Sequence, residues 1–158
     1  MTTVHKVADF NRVMTVPNIT TPPTEEETYV LGMMGMALES MVDQIKENTN
    51  STTHPHLLRA RLMLEELAEV FEAMGLNDRV QMLHELVDLR YVTDGTVVAL
   101  GFTDVHAAAF DLVHAANLSK LGPDGHPIRD ENGKVIKGPN FQPANLNALL
   151  GLGQGDKC

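Results

Sequence analysis

The chain has 158 residues, 43% of them hydrophobic and 21% charged, a balance that supports a packed core and excludes a disordered polymer. Twenty-one acids against twelve bases leave a formal charge of −9, which opposes phosphate-driven attachment to nucleic acid. No apolar run approaches the roughly 18–20 residues needed to cross a bilayer, and the opening MTTVHKVADFNRV lacks the apolar stretch of a signal peptide, so a soluble, cytoplasmic protein is expected. Aromatic residues are only 4% and methionines number nine, a texture that favours helices. Val4, Val7, Phe10 and Val13 recur at three-residue spacing and predict a short helix over 3–14. VPNITTPP then breaks the chain. Thr24 followed by Glu25, Glu26 and Glu27 places a hydroxyl cap before an acidic first turn, and predicts a helix from there to about Glu47. Gly32 and Gly35 inside it imply the close approach of another helix, while Met33, Met34, Met36 and Met41 read as core or subunit-interface filler. After NTNSTTHP a third helix is expected over Pro55–Met74, with Gly75 as its stop signal. A fourth starts after Asn77 and runs to about Leu100, and a fifth runs from Thr103 to about Leu121. Beyond it, Asp124-Gly125 and Asn132-Gly133 mark turns of a small β-hairpin or ordered loop, and GLGQGDKC reads as a loose tail. The expected fold is all-α: a four- or five-helix bundle in a single domain 1–158, its helical core at about 25–121 and its hairpin and tail at 122–158.

The chemistry is concentrated in two acidic stretches. In LEELAEVFEA, Glu66 and Glu69 are three residues apart and share one helix face; Glu65 borders that face, and Glu72 lies three beyond Glu69. In HELVDL, Glu85 and Asp88 repeat the pairing. Fifteen residues separate Glu69 from Glu85, enough to end one helix, turn and return antiparallel, so the two acid pairs can face each other. A single such pair is most simply a solvated helix face. Glu85 and Asp88 interleave with Leu83, Leu86, Val87 and Leu89, however, and four carboxylates gathered in a bundle repel unless protonated or neutralised. Mg²⁺ or Mn²⁺ is the natural counter-charge for such hard oxygen donors. The single cysteine, Cys158, excludes a cysteine metal cage. None of the seven histidines follows a glutamate by three residues, which argues against a di-iron carboxylate bundle, and His84, directly before Glu85, is expected to point off the acid face.

EELAE followed after fifteen residues by ELVD resembles the EExxE…ExxD signature of the all-α nucleoside triphosphate pyrophosphohydrolases, the MazG-like group that includes phosphoribosyl-ATP pyrophosphohydrolase and the dimeric dUTPases. AFDLVHAANLSKLGPDGHPIRDENGKVIKGPNFQP, and more weakly VADFNRVM, are similar to the phage and bacterial branch of phosphoribosyl-ATP pyrophosphohydrolase-like proteins. The resemblance implies that Glu66, Glu69, Glu85 and Asp88 are metal ligands for Mg²⁺ or Mn²⁺, with Glu65 or Glu66 activating water. It implies that Asn117 and Lys120 reach phosphate oxygens, that Asp111 orients one of them, and that Lys134 and Lys137 are further phosphate contacts. It also implies homodimers or homotetramers with active sites where subunits meet, and a substrate that is a purine deoxynucleoside triphosphate, dGTP before dATP, as in the MazZ subgroup of phages. The alternatives are phosphoribosyl-ATP as substrate, or a non-enzymatic acidic helical interaction module that binds neither metal nor nucleotide.

Overall fold

A computed structural model of the chain describes residues 1–48 and 53–152. Five helices appear in chain order: α1 Thr3–Val13, α2 Glu25–Asn48, α3 Pro55–Gly75, α4 Arg79–Ala99 and α5 His106–Leu118, followed by a single 3₁₀ turn at Asn147–Leu150. The described residues contain no strand, so the fold is all-α, as the composition predicts. No helix among them is long and apolar enough to cross a membrane. Residues 49–52 of the NTNSTTHP break, and the tail from Gly153 onward, lie outside the described residues.

The chain divides into two compact units, one formed by Thr20–Gly101 and the other by Met1–Ile19 with the described residues from Phe102 on. In the first, α3 packs against both α2 and α4. Thr24 caps α2 reciprocally: its hydroxyl accepts from the Glu27 amide at 3.2 Å, and Glu27 Oε2 accepts from the Thr24 amide at 2.7 Å. Val42 of α2 and Ala68, Val70 and Ala73 of α3 are buried. Helix α2 approaches α3 at Gly35, where a Cβ would stand in ordinary contact with the Ala68 carbonyl at 3.7 Å. Gly32, by contrast, faces open space, so the expectation of a close approach holds for one glycine of the two.

The stop of α3 differs from expectation. Gly75 is still helical and packs against α2, where a Cβ would stand in ordinary contact with Leu31 and the Thr28 carbonyl, each at 3.7 Å. The reversal falls instead on Asn77, which adopts a left-handed φ of 54°, a conformation its short polar side chain tolerates. Asp78 then caps α4, accepting from the amides of Val80 and Gln81 at 3.0 and 3.1 Å. Toward the C-terminal end of α4, Arg59 of α3 donates to the Val92 carbonyl at 2.6 Å and to Thr96 Oγ1 at 3.1 Å. Gly95 leaves the room for that guanidinium.

In the second unit α1 packs on α5, where Lys6 and Asp111 form an ion pair. Helix α5 is shorter than predicted, because Thr103–Val105 form a turn before it and Ser119 caps it. The segment after it is an ordered double turn, tied by two isolated antiparallel bridges, Leu121 with Pro127 and Arg129 with Val135. Both turn glycines, Gly125 and Gly133, take positive φ near 78° and 79°, as the Asp-Gly and Asn-Gly signals require. Arg129 pins this loop to the end of α1 by donating to the carbonyls of Met14 and Thr15.

Candidate active site

The short turn between α3 and α4 makes the two helices an antiparallel hairpin, and that alone brings the acid pairs together. Carboxylate oxygens of Glu66, Glu69 and Glu85 lie within 4.8 Å of one another. A second group, His84 Nδ1 with carboxylate oxygens of Glu85 and Asp88, meets the same limit. Glu85 belongs to both and is only 8% exposed, so it sits where the helices face each other.

The electrostatics follow from this crowding. Burial, then the charges of Asp88, Glu85 and Glu65, hold the Glu66 carboxyl above the usual carboxylate range. Glu69 is raised too, first by partial desolvation of its carboxyl beside α4 although its side chain is largely exposed, and then by a hydrogen bond shared with Glu85 and the charge of Glu66. His84 is shifted upward by its hydrogen bond to Glu85 and by the charge of Asp88. Its Nδ1 stands 3.2 Å from Glu85 Oε1 and 3.4 Å from Asp88 Oδ2. The sequence-based expectation that His84 points off the acid face is therefore wrong. The ring leans across one turn of α4 to its i+4 neighbour, a reach that the spacing of Cα atoms alone does not convey.

Glu65 is occupied differently. Its Oε1 accepts an ion pair from Lys46 Nζ of α2 at 2.9 Å, and its Oε2 faces Arg61 Nε at 3.8 Å. The Arg61 pairing was legible as an i, i+4 contact, but Lys46 arrives only through tertiary packing. Beside Glu69 and Glu85 an open cleft of about 350 Å³ runs toward Leu76, Asp78 and Gln81 at the hairpin turn.

The remaining candidates belong to the other unit. Asn117 and Lys120 are half-buried at the end of α5. Asp111, expected to orient one of them, instead holds Lys6 of α1. Lys134 and Lys137 lie exposed on the double turn, with the Lys137 ammonium 4.7 Å above the Phe141 ring.

Chemically, the hairpin gathers four carboxylates and one imidazole, two of the acids protonating more readily than usual because of burial first and the charges of their acidic neighbours second. This donor set could hold a hard divalent cation, and hydrated polyphosphate chemistry is what such a centre serves. A family model described as phosphoribosyl-ATP pyrophosphohydrolase matches residues 33–117 of the chain, a span that includes all four acids and His84. The chain belongs to the phosphoribosyl-ATP pyrophosphohydrolase family. Membership in this MazG-like, all-helical superfamily supports a hydrolase activity of the pyrophosphohydrolase type. The fold is shared with a solved structure named as a "putative NTP pyrophosphohydrolase" from Exiguobacterium sp. 255-15, at a TM-score of 0.53 and 23% identity over 91% of this chain and 89% of that one. No curated protein matches the chain.

Proposed function

We propose that the protein hydrolyses a nucleoside triphosphate to the monophosphate and pyrophosphate in a divalent-metal-dependent reaction. The observation that carries this reading is the convergence of Glu66, Glu69, Glu85 and Asp88 across the α3–α4 hairpin. These four acids would hold a Mg²⁺ or Mn²⁺ ion, which would supply charge neutralisation for the phosphate oxygens. A water oxygen attacks the α-phosphorus, the bond from that phosphorus to the bridging oxygen breaks, and pyrophosphate leaves with the bond's electron pair. Glu65 or Glu66, the acids at one end of the cluster, takes the water's proton. Glu65, tied to Lys46 and Arg61, positions that end of the acid cluster.

Asn117 and Lys120 bind phosphate oxygens, with Lys134 and Lys137 as further contacts and Asp111 steadying the α1–α5 pair through Lys6. The family match runs across both compact units, which supports reading 1–158 as one catalytic domain. Lys120→Ala should raise the KM for substrate about tenfold, the ~1.4 kcal/mol of one charge-assisted contact, while leaving metal affinity unchanged. Steady-state kinetics beside a metal titration separate the two; unaltered KM removes Lys120 from the phosphate contacts.

The substrate we favour is a purine deoxynucleoside triphosphate, dGTP and then dATP, in phage nucleotide-pool metabolism. This rests on the resemblance of the segment from Ala109 to Pro143 to the phage branch. Phosphoribosyl-ATP is the competing substrate, favoured by the family description itself. The test incubates purified protein with each dNTP, each NTP and phosphoribosyl-ATP, with Mg²⁺, Mn²⁺ or EDTA, and scores pyrophosphate against phosphate. Metal-dependent pyrophosphate from dGTP supports the proposal, and release from phosphoribosyl-ATP alone replaces it. No release from any substrate leaves the acidic interaction module.

A further inference from the structure

We propose that His84 is a metal-selecting ligand, whose imidazole joins Glu85 and Asp88 and biases the site toward first-row transition cations over Mg²⁺. The inference rests on the metal-dependent reading above and goes beyond it, because four carboxylates alone give no reason for such a bias. Three observations carry it. First, the donor atoms of His84, Glu85 and Asp88 all lie within 4.8 Å of one another. Ligands at about 2.0–2.2 Å from one ion stand at most about 4.4 Å apart, so small side-chain rotations suffice to close them on a cation. Second, the three differ in freedom in a useful way. The Glu85 side chain is 11% exposed and fixed at the helix contact, whereas that of His84 is 62% exposed and can turn without disturbing packing. Third, Nδ1 already stands against two carboxylate oxygens, at 3.2 and 3.4 Å. The three donors are thus already gathered on one turn of α4, within the separations that ligands of one cation can span.

Nitrogen is the discriminating element. Mg²⁺ demands near-ideal octahedral oxygen and keeps its waters, so it gains little from an imidazole. Affinity for mixed nitrogen and oxygen donors rises from Mn²⁺ through Fe²⁺ to Co²⁺. Glu66 and Glu69 supply oxygen from α3, and Glu85 is common to both groups. His84 is therefore the one donor of the cluster whose removal alters which cation is preferred and not merely how much charge the site carries.

The test loads the full-length protein with Mn²⁺ alone and records electron spin-echo envelope modulation, in wild type and in His84→Ala. The expected result is a directly coordinated ¹⁴N coupling in wild type that is absent from the variant. In parallel, calorimetric titrations with Co²⁺ and Mg²⁺ should show the variant losing Co²⁺ affinity by at least the ~10–100-fold that follows loss of a metal partner, with Mg²⁺ changed less than about twofold. Bound Mn²⁺ without nitrogen coupling in wild type overturns the role of His84 and leaves the carboxylate site standing. Equal losses for Co²⁺ and Mg²⁺ do the same. Failure of wild type to take up Mn²⁺, Co²⁺ or Mg²⁺ overturns the metal-dependent reading itself, and this inference with it.

Discussion

Glu69→Gln and Asp88→Asn are each expected to lower turnover at least about 10³-fold, the ~4 kcal/mol of transition-state charge stabilisation that a mispositioned or missing cation forfeits. The same variants should keep the helical circular dichroism of wild type, because Glu69 is exposed and Asp88 only half-buried. Metal titration provides the second readout. At a cation concentration about 100 times its Kd, wild type gains about 2.7 kcal/mol, or roughly 5–10 °C in Tm for a chain of this length, and Glu69→Gln should lose that gain. Turnover within tenfold of wild type in both variants removes them from the site.

The sign of the pH dependence is fixed by the same acids. Glu66 and Glu69 titrate above the ordinary carboxylate value in the folded protein, burial being the leading cause, so the folded state holds their protons to higher pH than the unfolded chain does. Their contribution to stability is complete below about pH 4.3, the unfolded value, and is lost as pH rises through the folded values. His84, raised by Glu85 and Asp88, acts in the same direction and loses its contribution as pH rises through its folded value. In EDTA, the contribution of these three groups thus falls as the solution is taken from acid to neutral pH. Glu69→Gln should flatten part of that decline, and added Mn²⁺ should abolish it above neutrality, where the cation replaces the missing protons. Thermal melts over a pH series with and without chelator measure this; identical slopes for wild type and Glu69→Gln would show that Glu69 is not held against its neighbours.

The acid site was legible in the sequence because its ingredients are local. Two i, i+3 pairs and a fifteen-residue gap need only a helix, a turn and a returning helix, and Asn77-Asp78 provides the turn chemistry. The Thr24–Glu27 cap was legible for the same reason. What escaped depends on side-chain reach or on tertiary partners. His84 looked misdirected because adjacent helical positions diverge by about 100°, yet a ring that leans one turn along the helix meets Asp88. Lys46 meets Glu65 only because α2 packs on α3, and no spacing within either helix announces it. Asp111 was assigned to its own helix, while its cation came from α1, more than a hundred positions away. Gly75 marked the end of α3 to within one residue, but the left-handed turn that follows falls on Asn77.

The outward face of α4 carries the second large prediction. Val80, Leu83, Val87, Tyr91 and Val98 fall within about 80° of arc at 100° per residue, on the side of α4 away from Glu85 and Val92, which face α3. They are strongly exposed, Val80 and Tyr91 at 77% each. A helix of a protein with net charge −9 would gain by covering such a stripe, and a second copy of the chain presents the same stripe, self-complementary about a two-fold axis. His84 and Asp88 lie at the edge between this stripe and the α3-facing seam, so a homo-oligomer of the kind the family resemblance implies would set a neighbouring subunit beside the acid site. Substituting Leu83→Asp and Tyr91→Asp together removes four apolar side chains per symmetric dimer, at about 1.5 kcal/mol each as a lower bound, and should weaken association at least about 10⁴-fold. Light scattering coupled to size exclusion should therefore find oligomers for wild type and monomers for the double variant, with turnover falling as the subunits separate. A monomeric wild type would refute the oligomer. An oligomer that survives the double substitution would move the interface to the methionine-rich face of α2, where Met33, Met36 and Met41 are likewise exposed, and would leave His84 and Asp88 open to solvent rather than to a neighbouring subunit.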